Sequence, residues 1–86
     1  MIRATSLLAY AEVLQTLGER QLQVLRCLSK FDSATNLMLA RSLGWDINRV
    51  VPRIYELRKR LLVIEDKTDE CKITGRKAIY WKFDKK

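Results

Sequence analysis

Histidine is absent from this 86-residue sequence, proline occurs once and glycine three times, and no apolar run approaches the length of a membrane span. Each shortage excludes something. Without histidine, and with Cys27 and Cys71 far apart and outside any C-x-x-C pair, nearly every zinc-site spacing is missing, so no structural metal is expected. The missing imidazole also removes the usual general base. No carboxylate pair at a useful spacing, no phosphate-cradling glycine loop and no activated-cysteine context takes its place, so the chain is not expected to be an enzyme, and no cofactor is expected. The two cysteines read as small buried apolar side chains in a reducing cytoplasm. The apolar run 7–11 is cut short by Glu12 and lacks a cleavage-like site, so it does not read as a signal peptide. A cytoplasmic protein without a membrane partner is the expectation.

What is present is a globular composition, 48% hydrophobic and 31% charged, enough for one small domain with a modest core. Seventeen Lys and Arg against ten Asp and Glu leave a formal charge of +7. In so short a chain that field attracts polyanions, nucleic acid foremost.

Apolar residues at spacings of three and four (Leu7, Tyr10, Leu14, Leu17) predict a first helix over 5–17, with Gly18 as its stop. Leu8, Ala11 and Val13 widen its apolar surface, so it either packs deep in the core or touches a second copy of the chain. Residues 1–18 form a candidate dimerisation element and 19–86 the main domain. A second helix is predicted over 19–30 through Leu22, Leu25 and Cys27 or Leu28, with Phe31 plugging the core. "FDSATN" (31–36) is a turn in which Thr35 caps a short third helix with Leu37, Leu39, Ala40 and Leu43 inside and Gly44 as its left-handed close.

Trp45 makes the corner, and Asp46 or Asn48 caps a fourth helix over about 46–60, with Val50, Ile54, Leu57 and Leu61 as its inner stripe. Asn48, Pro52, Tyr55 and Lys59 face outward, flanked by Arg49, Arg53 and Arg60 on one side and Arg58 on the other. A proline deep inside a helix costs roughly 3 kcal/mol. Here it stands only one or two turns past the cap, on the outward side, so a single early hydrogen bond is lost and the leading end of the helix is stiffened. Then "LLVIED" (61–66) and "AIYWKF" (78–83) read as two strands of a hairpin whose tip is either Asp69-Glu70 or Thr74-Gly75-Arg76. Trp45 and Trp81 stand at apolar positions and read as core anchors.

Residues 39–61 thus carry helix-turn-helix spacing: Ala40 small where two helices cross, Gly44 at the bend, and a longer basic helix returning to the same core. Three helices and a C-terminal hairpin in this order resemble the winged helix-turn-helix family over about residues 19–83. "PRIYEL" (52–57) with "TGRKAIYW" (74–81) is similar to small winged-helix proteins of bacteriophages and prophages. The expected fold class is therefore α+β, a winged helix-turn-helix preceded by an N-terminal helix. The resemblance implies that the basic helix enters a DNA major groove and that the hairpin, as wing, reaches a neighbouring minor groove or backbone. It assigns groove contacts to Asn48, Arg49, Pro52 and Arg53, and wing contacts to Arg76 and Lys77. Many members have glycine where this chain has Leu61, so a different helix-to-strand junction is expected.

Read from the residues themselves, Arg49 or Arg53 suits guanine and Asn48 suits adenine, while Lys59, Arg41, Arg58 and Lys72 suit phosphates, with Thr35 and Tyr55 added to the backbone set. The stretch 36–63 holds six basic and two acidic residues, a local charge of +4. The competing account makes Arg53 and Glu56 a surface pair, sets Arg58, Lys59 and Arg60 against the helix dipole, and lays Tyr55 over the base of the wing. Sequence-specific binding of double-stranded DNA, by a transcription regulator that can be a homodimer through 5–17, is the leading expectation. A winged helix used for protein contact through its first helix is the alternative.

Overall fold

The structure, a computed structural model, describes Glu12 and residues 14–84. Three helices, α1 (Glu19–Ser29), α2 (Asn36–Leu43) and α3 (Ile47–Lys59), precede an antiparallel hairpin of β1 (Val63–Glu70) and β2 (Lys77–Phe83). The architecture is α+β. Of the helix expected over 5–17, Glu12, Leu14 and Gln15 are helical, Thr16 and Leu17 form the turn that ends it, with Leu17 buried, and residues 5–11 and 13 lie outside the described residues.

Each helix begins where its first amides find a partner. Gln21 Oε1 accepts from the Gly18 amide at 3.0 Å and opens α1. Thr35 Oγ1 accepts from the Met38 amide at 3.2 Å and opens α2. Asp46 Oδ1 accepts from the Asn48 amide at 2.9 Å, so Asp46 and not Asn48 caps α3. Pro52 is therefore the sixth residue of α3, and the acceptor its missing N–H leaves idle is the carbonyl of exposed Asn48, which water can satisfy.

The two sharp reversals share one geometry. At Gly44 (φ 71°) the amides of Gly44 and Trp45 turn back to the carbonyls of Arg41 and Ala40, closing α2. At Leu61 (φ 62°) the amides of Leu61 and Leu62 turn back to Arg58 and Leu57 at 2.9 and 3.1 Å, closing α3. A leucine thus occupies a left-handed position that glycine would hold without strain, a cost of order 1 kcal/mol. That reversal corrects the expected inner stripe: Leu61 is 63% exposed, and Leu62, 2% exposed, enters the core in its place.

Val24, Leu25, Cys27 and Leu28 of α1, Met38, Leu39 and Ala40 of α2, and Val50, Ile54 and Leu57 of α3 converge on one core with Val63, Tyr80 and Trp81 of the hairpin. Full burial of each large aliphatic contributes about 1.5–3 kcal/mol before the ordering entropy is subtracted. The inner face of α2 is turned toward Met38, leaving Leu37 and Leu43 half-buried at its rim. Trp45 is half-buried and Trp81 buried, both against this core. Cys27 and Cys71 are buried free thiols.

The hairpin is joined by residues 71–76, with Gly75 at φ 75°, so Thr74-Gly75-Arg76 belongs to the tip while Asp69 and Glu70 lie within β1. A bulge between Glu65 and Lys67 shifts the register, and the Tyr80 hydroxyl donates to the Glu70 carbonyl at 2.6 Å to pin the far end. The expected turn at 31–36 also contains a bridge. Ala34 and Trp81 exchange backbone hydrogen bonds of 2.9 and 2.8 Å, tying the α1–α2 connection to β2. No described helix is long and apolar enough to cross a membrane.

Candidate nucleic-acid interface

The stripe Val50, Ile54 and Leu57 roots α3 in the core, which turns Asn48, Arg49, Pro52, Tyr55 and Lys59 to solvent. Neither the hairpin nor α1 covers them. The ammonium of Lys59 sits 5.3 Å from the Tyr55 ring centroid, and the Arg58 guanidinium 4.7 Å from that of Trp81, so both cations are steadied by aromatic faces while remaining exposed. Tyr55 accordingly supports Lys59, whereas the base of the hairpin is covered by Arg58.

Arg53 is placed differently. Its Nε and Nη2 donate to Oε1 and Oε2 of Glu56 at 2.8 and 2.9 Å, and the pair is half-buried. Gln21 fixes this arrangement from α1, because its Oε1 is engaged by the Gly18 amide and its Nε2 donates to Glu56 Oε1 at 2.8 Å. Hydrogen bonds from Arg53 first, then Gln21, hold the Glu56 carboxyl below its ordinary range, against the opposing effect of burial. Two donors of the guanidinium are thus spent inside the protein, as the surface-pair account expects. Arg60 likewise donates to Thr16 Oγ1.

Thr35 is a correction. It is 2% exposed, its hydroxyl engaged by the Met38 amide and by Cys71 Sγ at 3.2 Å, so it has no surface with which to meet a backbone. What it does is lock the hairpin tip onto the start of α2. Burial raises the Cys71 thiol, but the Thr35 hydroxyl and the amides of Ile73 and Thr74 outweigh it and leave the thiol below its ordinary value. A cavity of about 250 Å³ lies at the same junction, lined by Asn36, Leu37, Ile47, Thr74, Ile79 and Trp81 among others, which brings the hairpin beside the leading end of α3.

No protein-family model matches this chain, and no curated protein is significantly similar to it. The surface must therefore be read from its own chemistry. Arg41 on α2, Lys72 and Arg76 on the tip, and Lys77 at the start of β2 are all exposed. β1 is the opposite: seven of its eight residues are exposed, and it carries four carboxylates, Glu65, Asp66, Asp69 and Glu70, against a single cation, Lys67, which pairs with Asp69 at 3.7 Å. Charge is segregated, with cations on α3, α2 and the tip, and carboxylates along the outer strand. Across the sheet Lys77 stands opposite Glu70, which offsets part of its field.

Three features escaped the sequence reading. Gln21 sits in a run of polar residues with nothing to mark it as the brace of Glu56. Ala34 pairs as a single residue, too short for any periodic signal. Ile47 and Val51 were legible: with Tyr55 they form a second apolar row at four-residue spacing beside the inner stripe. The helix expected to mediate a homodimer, 5–17, falls mostly outside the described residues.

Proposed function

We propose that this chain is a winged helix-turn-helix protein that binds double-stranded DNA, with α3 in the major groove and the tip of the β1–β2 hairpin on adjacent backbone, and that it serves as a transcription regulator. The observation that carries the reading is the face of α3 that no other described element covers, where Asn48, Arg49 and Lys59 are exposed together on an element anchored by Val50, Ile54 and Leu57. Such a face can enter a groove with little rearrangement, and Asn48 is the side chain type suited to adenine. Arg41, Arg58, Lys72 and Arg76 are available to phosphates on either side. The carboxylates of β1 would be repelled by phosphate, so the hairpin approaches by its tip and β2, with β1 held outward. The resemblance to small bacteriophage and prophage winged-helix proteins likewise implies α3 in the major groove and the hairpin on adjacent minor groove or backbone.

Fluorescence anisotropy with a labelled duplex tests this. Affinity should fall steeply with salt, and an Arg49→Gln, Lys59→Gln variant should bind more weakly with a salt slope reduced by about two phosphate contacts. Unchanged affinity and slope in that variant, with its circular dichroism intact, would remove α3 as the docking element.

A further inference from the structure

Ile47, Val51 and Tyr55 follow one another at four-residue spacing along α3 and are 37%, 44% and 58% exposed. Pro52 is exposed beside Val51, and Asn48 lies alongside the same row. These apolar groups contribute little to the core, and Val51, being β-branched, lowers helix propensity as well. Ile47 also lines the junction with the hairpin, but core packing does not account for Val51 and Tyr55. Their surroundings do: Arg49 on one flank, Arg58 on the other and Lys59 at the far end make an apolar strip rimmed by cations. The major groove of a duplex has the complementary arrangement, with phosphates as two rails and, on its floor, the C5-methyl groups of thymine as the apolar element.

Arg53, the other residue of α3 suited to guanine, spends two of its five donors, Nε and one on Nη2, on Glu56, which turns its fork toward that carboxylate. The base-reading groups left at the leading half of α3 are then Arg49, Asn48 and the apolar pair Val51 and Pro52. We infer that this face reads thymine through its 5-methyl group, Val51 and Pro52 packing against the methyl while Asn48 takes a neighbouring adenine, so that the target carries A·T pairs opposite the first two turns of α3. The inference rests on the duplex-binding reading above and adds to it the chemical group that is recognised.

The test uses the duplex best enriched from a random pool by the full chain, resynthesised with deoxyuridine in place of thymidine. Uracil pairs identically and lacks only the methyl. Each contacted methyl removed should weaken wild-type binding about fourfold. In Val51→Ala, whose side chain is at the surface, the thymine-to-uracil affinity ratio should shrink toward one. Equal wild-type affinity for the two duplexes would overturn the inference while leaving duplex binding in place. That is also the result expected if the apolar row serves a protein partner. Enrichment of a purely G·C core would overturn it too. Failure to enrich any duplex would instead remove the underlying reading, and the inference with it.

Discussion

Arg53 and Glu56 meet at two points, Nε to Oε1 at 2.8 Å and Nη2 to Oε2 at 2.9 Å, with Gln21 of α1 holding the same carboxylate from behind. One turn of α3 therefore pairs a cation with a carboxylate of the same helix, and the outward field of the helix is weaker than its arginine count implies. Glu56→Gln should release Arg53 at a stability cost of about 0.5 kcal/mol or less, the range for a partly exposed pair on a helix. Duplex affinity should rise, and the salt slope should steepen by about one phosphate contact. An unaltered slope would mean that Arg53 does not reach DNA even when freed.

The same carboxyl sets a pH dependence. Its folded-state affinity for protons is lowered, so the stability it contributes is fully present above the pKa of an unfolded glutamate and is lost as pH falls through the lower folded value. Urea midpoints of wild type and Glu56→Gln, followed from neutrality to well below the carboxylate range, should converge on the acid side. A difference constant across that range would show that the Arg53 and Gln21 hydrogen bonds do not favour the ionised form.

Leu61→Gly should stabilise the fold by about 1 kcal/mol, because φ 62° is strained for leucine and its side chain is mostly exposed. For a domain of this size that corresponds to a rise of about 4–8 °C in Tm. A fall in Tm would mean that the Leu61 side chain contributes more by contact than its backbone costs.

Thr35→Ala should cost about 1–2 kcal/mol by removing the α2 cap, and should raise the Cys71 thiol pKa by removing the hydroxyl donor. Thiolate absorbance against pH reads the second effect separately from the first. An unmoved midpoint would mean that the Ile73 and Thr74 amides and the Thr74 hydroxyl hold the thiol down without Thr35.

Pro52→Ala should stabilise α3 by about 1 kcal/mol, since it restores a donor to the Asn48 carbonyl and improves helix propensity. Duplex affinity should nevertheless fall, because the stiff leading turn is lost. A variant that gains in both respects would show that Pro52 plays no part in presenting Asn48 and Arg49.

Local chemistry determined much of this protein by itself. Thr35, Gly44, Asp46 and the apolar spacing of Val50, Ile54 and Leu57 specify caps, a bend and a buried stripe through groups only a few residues apart, so the three helices and their ends can be read from the chain. The outward position of Asn48, Arg49 and Lys59 follows from the same periodicity. Tertiary structure decided the rest, because it rests on partners distant in sequence: Gln21 reaching 35 residues along to Glu56, Thr35 meeting Cys71 across 36, Ala34 pairing with Trp81. Those contacts braced the local Arg53–Glu56 pair from α1 and turned Thr35 from a surface hydroxyl into a buried clasp. Periodicity assigns a side chain to a face, but which neighbour it spends its hydrogen bonds on is settled only when the elements pack.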